Sequence, residues 1–406
     1  MKPAENAVWQ ALDQGLGRGL LFLFYMSIPM VIGLEAYGRF AFVQAAMLIL
    51  AQPVMLLGLD LVVVKRVARG DHGAFRDALL ARAGLIGATG VVVIATAAVL
   101  ARGDLAVVIL LWLYFSTLAL EGLVFAYFRG IEWMRAEGIV GTAQKALTLP
   151  LFGILALAQL RGAVLPAATL TLAASAGAVM LAALYGDRVA ALLRRRGGRR
   201  GDEANLLAML REGAVVGLAA FASIVYLRVD SVMLGFLRGS EAVGVYNVAC
   251  RFMEGSLIPP IVFMNVFFPH LVKATDFRTA VVRAARWLAA IGLVISAAVA
   301  FGGPPLIDLV YGAEYARVGR VSAVLALAIA PIYVGTLLTQ ALVASDRQLQ
   351  YLRLAVLAIG ANVGLDAVLI PSYGEVGAAV ATVATEVVVV IVGARLLSGQ
   401  GAAPVI

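Results

Sequence analysis

The 406-residue chain is 62% hydrophobic and 14% charged, with a mean hydropathy of +0.96 and a formal net charge of +8. Water-soluble domains are nearer half apolar, with about a quarter of their residues charged, so this composition excludes a soluble globular fold and makes lipid the solvent for most of the chain. A single cysteine, Cys250, and two histidines, His72 and His270, exclude an intrachain disulfide framework and a metal or haem centre built on imidazole.

The first segment, MKPAENAVWQALDQ, carries Glu5 and Asp13 ahead of the first apolar run. No small-residue cleavage site follows, so it reads as an amphipathic lead-in to a membrane helix and not as a secretory signal. Apolar stretches long enough to span a bilayer as helices then follow one another. They predict about twelve spans, near 15–33, 40–64, 83–101, 105–128, 139–160, 164–186, 213–237, 243–269, 287–303, 318–343, 349–370 and 376–397. The longest connection, 187–212, contains RRRGGRRGDE. Its glycines and like charges predict a flexible basic cytoplasmic linker between an N-terminal six-helix lobe, 1–186, and a C-terminal one, 213–406.

Basic residues test this topology. With a cytoplasmic N-terminus, 23 Lys and Arg fall on inside segments, Lys65, Arg66, Arg69, Arg194, Arg195 and Arg196 among them. Only 6 fall outside: Arg39, Arg102, Arg161, Arg238, Arg317 and Arg320. This positive-inside bias supports the span count and puts both termini in the cytoplasm.

The chain also repeats itself. GLEAYGRF at Gly33–Phe40 returns as GSEAVGVY at Gly239–Tyr246, 206 residues later, and Pro53 precedes Pro259 by the same interval. FRDALL at Phe75 is echoed by FRTAVV at Phe277. Six spans separate the copies, leaving both on one side of the membrane. The pattern predicts an all-α polytopic protein of two six-helix bundles, related by a pseudo-two-fold axis along the membrane normal. Such parallel repeats are a transporter architecture, with the substrate site between the halves.

Longer segments carry a family likeness. YLRVDSVMLGFLRGSEAVGVYNVACRF (226–252), ALVASDRQLQYLRLAVLAIGANVGLDAVLIPSYGEVGAAVATVATE (341–386), GLEAYGRFAFVQA and VYGAEYA occur in that family's order and spacing. The chain resembles the polysaccharide and lipid-linked oligosaccharide flippases, O-antigen flippases among them, of the multidrug/oligosaccharidyl-lipid/polysaccharide exporter superfamily. The resemblance implies two six-helix lobes around a central cavity. It also implies transport of an undecaprenyl-diphosphate-linked glycan, as in O-antigen or exopolysaccharide synthesis, from the inner to the outer leaflet of a bacterial plasma membrane. Membrane lipids and glycan-assembly enzymes are the implied partners, with no nucleic acid. An end after twelve helices is the expectation, and it would set the chain apart from relatives with an extra C-terminal helical pair, the peptidoglycan-precursor flippases among them.

Ionisable residues inside spans cost about 2.5–3.5 kcal/mol each on insertion scales, so their placement is informative. Asn247, Arg251 and Glu254 share one helix face, as do Tyr114, Thr117 and Glu121. Arg228 and Arg251 are the candidates to bind a diphosphate, because the guanidinium fork makes bidentate, charge-assisted bonds to phosphate oxygens. Asn247 and Tyr114 complete the candidate substrate surface. Glu121, Asp230 and Glu254 are candidates for charge balance or for a coupling ion, Na+ or H+; no cofactor or metal centre is expected. Plainer readings stand beside these. Arg251 and Glu254 form an ion pair with each other; Arg228 and Lys145 snorkel; Asp60 is a helix-end charge beside Lys65 and Arg66; Asp366 and Glu386 bond between helices. Among the prolines within spans, Pro29, Pro53 and Pro259 are hinge candidates, against the alternative of static bends.

The leading reading is a flippase working by alternating access, and the alternative is a cation-coupled multidrug exporter of the same fold. No Gly-rich phosphate loop with a following Lys occurs. The outside loops are too short to hold the acid–base groups of a glycan polymerase or ligase, so no enzyme activity is expected.

Overall fold

The computed structural model describes residues 9, 12–51, 55–56, 58–100, 104–194, 202–273 and 275–398. After a π-helical turn at Leu12–Gly17, the regular elements are helices α1 (Arg18–Leu50), α2 (Leu59–Ala68), α3 (Ala74–Leu100), α4 (Leu105–Gly130), α5 (Arg135–Leu157), α6 (Val164–Arg194) and α7 (Asp202–Arg238). They continue as α8 (Ser240–Gly255), α9 (Ile258–Val272), α10 (Phe277–Tyr311), a 3₁₀ turn at Ala313–Tyr315, α11 (Ala316–Ala344) and α12 (Gln348–Ser398).

Eight helical stretches are long and apolar enough to cross a membrane, by length and composition. Two of these hold two expected spans each. At 1.5 Å per residue the 51 residues of α12 would be more than twice as long as a bilayer core is thick. The chain instead breaks at Gly374, with φ 58° and ψ −134°. Helix α1 breaks likewise at Gly33. Two further spans are interrupted: 40–64 just before α2, where Gly58 takes φ 65°, and 243–269 between α8 and α9. Every expected span thus has its helix.

The contacts divide the chain into two compact units, Met1–Ile224 and Val225–Ile406. In the first, a core forms where Leu59 and Val63 of α2, Phe75 of α3, Leu123 and Phe128 of α4 and Val140 of α5 meet. In the second, Leu288 of α10 packs with Ile329, Tyr333 and Leu337 of α11. Lipid gives no hydrophobic drive for helix association, so close approach of backbones must supply it. Gly292 lies so near Ala330 that a side chain there would sit 2.9 Å from its Cα. Large apolar side chains face outward instead, Phe301 and Leu309 among them, as a protein dissolved in hydrocarbon requires.

The segment 187–212 is more ordered than its glycines and charges suggest. Helix α6 runs on to Arg194 and α7 starts at Asp202, because the flanks RVAALLR and DEANLLAMLRE are rich in helix formers. Residues 195–201 lie outside the described residues, as does most of the amphipathic lead-in.

The repeated octapeptides share a backbone conformation as well as letters. Gly33 has φ 77° and ψ 169°, and Gly239 has φ 85° and ψ −179°. Only glycine populates this region readily. In both copies it separates one span from the next, so the repeat encodes a hairpin corner.

Candidate functional site

In the C-terminal unit, α7 and α8 run antiparallel from the corner at Gly239, which sets residues at matching depths. Arg228 lies ten residues before Arg238 and Arg251 twelve after Gly239, so both sit about 15–18 Å down their helices. At that depth the guanidinium Nη1 of Arg251 is 2.6 Å from Oε2 of Glu254, and Nη1 of Arg228 is 3.4 Å from Oε1 of the same carboxylate. The plain reading of an Arg251–Glu254 pair therefore holds, with Arg228 as a third member. Burial is incomplete: the Arg228 side chain is 23% exposed and that of Glu254 34%.

Asp230 lies apart from the arginines. Its carboxylate accepts from the hydroxyl of Tyr246 on α8, and from that of Thr382 on α12 at 3.2 Å. Tyr246 and Thr382 oxygens are 3.0 Å apart. Asp366, one turn beyond Asn362 on α12, places its carboxyl beside that of Asp230. Among the described residues, Asp230 Oδ1, both carboxyl oxygens of Asp366 and the Asn362 Oδ1 have no hydrogen-bond partner, and all three residues are buried. Deeper in the same unit the Tyr226 hydroxyl donates to Glu386 at 2.6 Å.

The break at Gly374 brings this set together. Asp366 and Thr382 lie eight residues on either side of it, at one depth of the hairpin. Two buried carboxylates side by side, with hydroxyl and amide oxygens around them, form an oxygen-rich pocket that needs a proton or cation to balance its charge. Among the described residues no group of three or more His, Cys, Asp or Glu side chains forms a metal site.

Other expected site residues fare differently. Asn247 is buried, donating to Ser231 Oγ and the Val243 carbonyl at 3.0 Å, so it fastens α8 to α7. Tyr114 and Glu121 of α4 belong to the N-terminal unit. There Lys145 bonds Asp13 at 2.6 Å instead of snorkelling. Asp60 pairs with Arg82 at 2.8 Å and not with the basic loop. The reason is that Arg82 is fully buried and must bind something; it also donates to the carbonyls of Ala119 and Leu56. Arg82, Asp13 and Tyr246 were not expected at a site from the sequence, whereas Thr382 shares a polar helix face with Glu386. Only their polarity inside apolar runs marked them, and the pairing partners are remote along the chain.

Of the hinge candidates, Pro29 is buried within α1, four residues before the corner at Gly33. Pro259 stands in the first turn of α9, just after the break at Ser256–Leu257. The carbonyl freed at Ser256 accepts from Tyr333 Oη at 2.6 Å. Pro53 lies outside the described residues.

This polytopic all-α fold, with charged side chains clustered at membrane depth, is shared with solved membrane transporters. Over 97% of the chain it is similar to the lipid II flippase MurJ (TM-score 0.76, 11% identity, 87% of that chain). It is similar also to an inward-facing multidrug resistance MATE transporter of the MOP superfamily (TM-score 0.68, 16% identity, 96% of this chain and 95% of that one). At such identities the likeness is one of fold. The chain belongs to the polysaccharide biosynthesis protein family, which matches residues 4–275. It is 34% identical over 169 residues to a protein of Haloferax volcanii named probable flippase AglR, covering 39% of this chain and 35% of that relative's length.

Proposed function

We propose that the chain flips a polyprenyl-diphosphate-linked oligosaccharide from the cytoplasmic to the outer leaflet of a bacterial plasma membrane, with both termini cytoplasmic. The observation that carries this reading is the Arg228–Arg251–Glu254 cluster. One carboxylate holds two guanidiniums at membrane depth. A diphosphate presents more negative charge than Glu254 and matches the guanidinium fork, so it competes for both arginines. The family and the flippase relative support a lipid-linked glycan as the substrate class.

The acidic pocket at Asp230 and Asp366 is the coupling element of this proposal. Binding and release of Na+ or H+ there would shift helix α12 against α7 and α8. A second reading, a cation-coupled exporter of cationic drugs, draws on the same pocket, because carboxylates beside Tyr246 and Tyr226 suit a cationic ligand.

Purified protein in liposomes decides between them. A fluorescent polyprenyl-diphosphate sugar is expected to cross, and the double variant R228A/R251A to abolish crossing while remaining folded. Transport of a cationic dye in preference to the lipid, or normal lipid transport by the double variant, would overturn the reading.

A further inference from the structure

Glu121 of α4 occupies the interior of the N-terminal unit, about 14 Å from the end of its helix at Gly130. It is 4% exposed, and among the described residues neither carboxyl oxygen has a hydrogen-bond partner. Its Oε1 and the Oε1 of Gln144 on α5 both converge on Gly177 of α6. They lie 3.0 and 3.2 Å from the point where a side-chain carbon on Gly177 would stand. The missing side chain is what admits both groups.

Among the described residues, the cations on the elements around Glu121 are engaged elsewhere. Lys145, next to Gln144, is held by Asp13. Arg82 of α3, which bonds the Ala119 carbonyl, is held by Asp60 of α2, itself beside Gly122. Arg129 is held by Glu137 of α5. On its own helix Glu121 has Tyr114 as a titratable neighbour, with Tyr25 of α1 beyond it. On α6 it faces Gly177. Among the described residues a carboxylate here has no ion-pair partner, and isolated buried charges neutralise instead of persisting. Glu121 and the Gln144 amide converge on the same face of Gly177, and a protonated Glu121 can both donate and accept there, where a carboxylate can only accept. A Na+ ion would want five or six oxygens, more than this niche gathers.

We propose that Glu121 is a proton-binding site of the N-terminal unit, protonated in this conformation and separate from the acidic pocket of the C-terminal unit. Its use in transport rests on the flippase reading, but its occupancy does not.

Infrared spectroscopy of the full chain in lipid nanodiscs, without substrate, tests it. At pH 7 the wild type is expected to show a protonated-carboxyl carbonyl band with a component that E121Q removes and D366N keeps. In E121D, which retains an acid, the band should move instead of vanishing. An unchanged band in both Glu121 variants would overturn the proposal. So would a wild-type band that disappears when Na+ replaces choline, because a metal cation would then be the occupant. If the band behaves as expected while the fluorescent lipid fails to cross liposomes, the proton site stands and the flippase reading falls.

Discussion

At the scale of single residues, the buried charges divide by what holds them. Arg82 has a carboxylate and two carbonyls, and the cost of breaking such a set is the charge left behind. R82A is expected to destabilise the N-terminal unit by about 3–5 kcal/mol, read as a lowered unfolding midpoint in detergent. Gly239 tests the other kind of necessity. Nothing lies within 4 Å of a side chain placed there, so G239A meets no clash and pays only for its backbone conformation. The expected loss is about 1–3 kcal/mol, and the same for G33A. The arginines, Glu121 and Asp230 were legible in the sequence because ionisable residues in apolar runs are rare. Their partners were not. Nothing along the chain says that Asp60 reaches Arg82 across 22 residues, or that Asp230 turns from Arg228 to meet α12, since those contacts depend on how helices pack.

At the scale of elements, the breaks matter more than the helices. The pause between α8 and α9 leaves the Ser256 carbonyl without its helical donor, and the Tyr333 hydroxyl replaces it. Y333F is expected to cost about 1 kcal/mol and to increase hydrogen exchange at the α8–α9 junction. Where α7 begins, Glu212 meets Lys65 at 2.6 Å and Arg66 at 3.4 Å. The hydrogen bond from Lys65 holds this carboxyl below the usual carboxylate range. A lowered value means the contribution is present above the ordinary range and is lost as pH falls through the folded-state value. E212Q is therefore expected to be less stable than wild type at pH 7, by about 0.2–1 kcal/mol for so exposed a pair, and equal to it in strong acid or high salt. Hydropathy located these elements well. It set span boundaries at 33–40 and 370–376, where the chain turns at Gly33 and Gly374, and the repeated octapeptide marked the first of them. It also drew 187–212 as loose where alanine and leucine extend both helices.

At the scale of the molecule, the composition alone named the solvent, and the repeat with its charge bias named the architecture. Substrate choice was not legible at this level, because flippases and drug exporters share the fold. The membrane potential separates them in the assay. Each negative charge carried outward gains about 2.3 kcal/mol per 100 mV of inside-negative potential, and each positive charge loses as much. Imposing such a potential on liposomes is expected to accelerate outward movement of the diphosphate lipid. Slowing by the same potential would mark the transported species as a cation.

One feature of the C-terminal unit bears on how it can be recognised from outside. Arg317, at the start of α11, bonds Glu241 at 2.5 Å and Glu375 at 2.8 Å. Glu241 follows the corner at Gly239, and Glu375 follows the break at Gly374. Three turns distant in sequence are thereby tied to a single side chain. A nanobody raised against this rim would read them as one conformational epitope, so R317A should erase its binding without altering any turn's own sequence of contacts to the antibody.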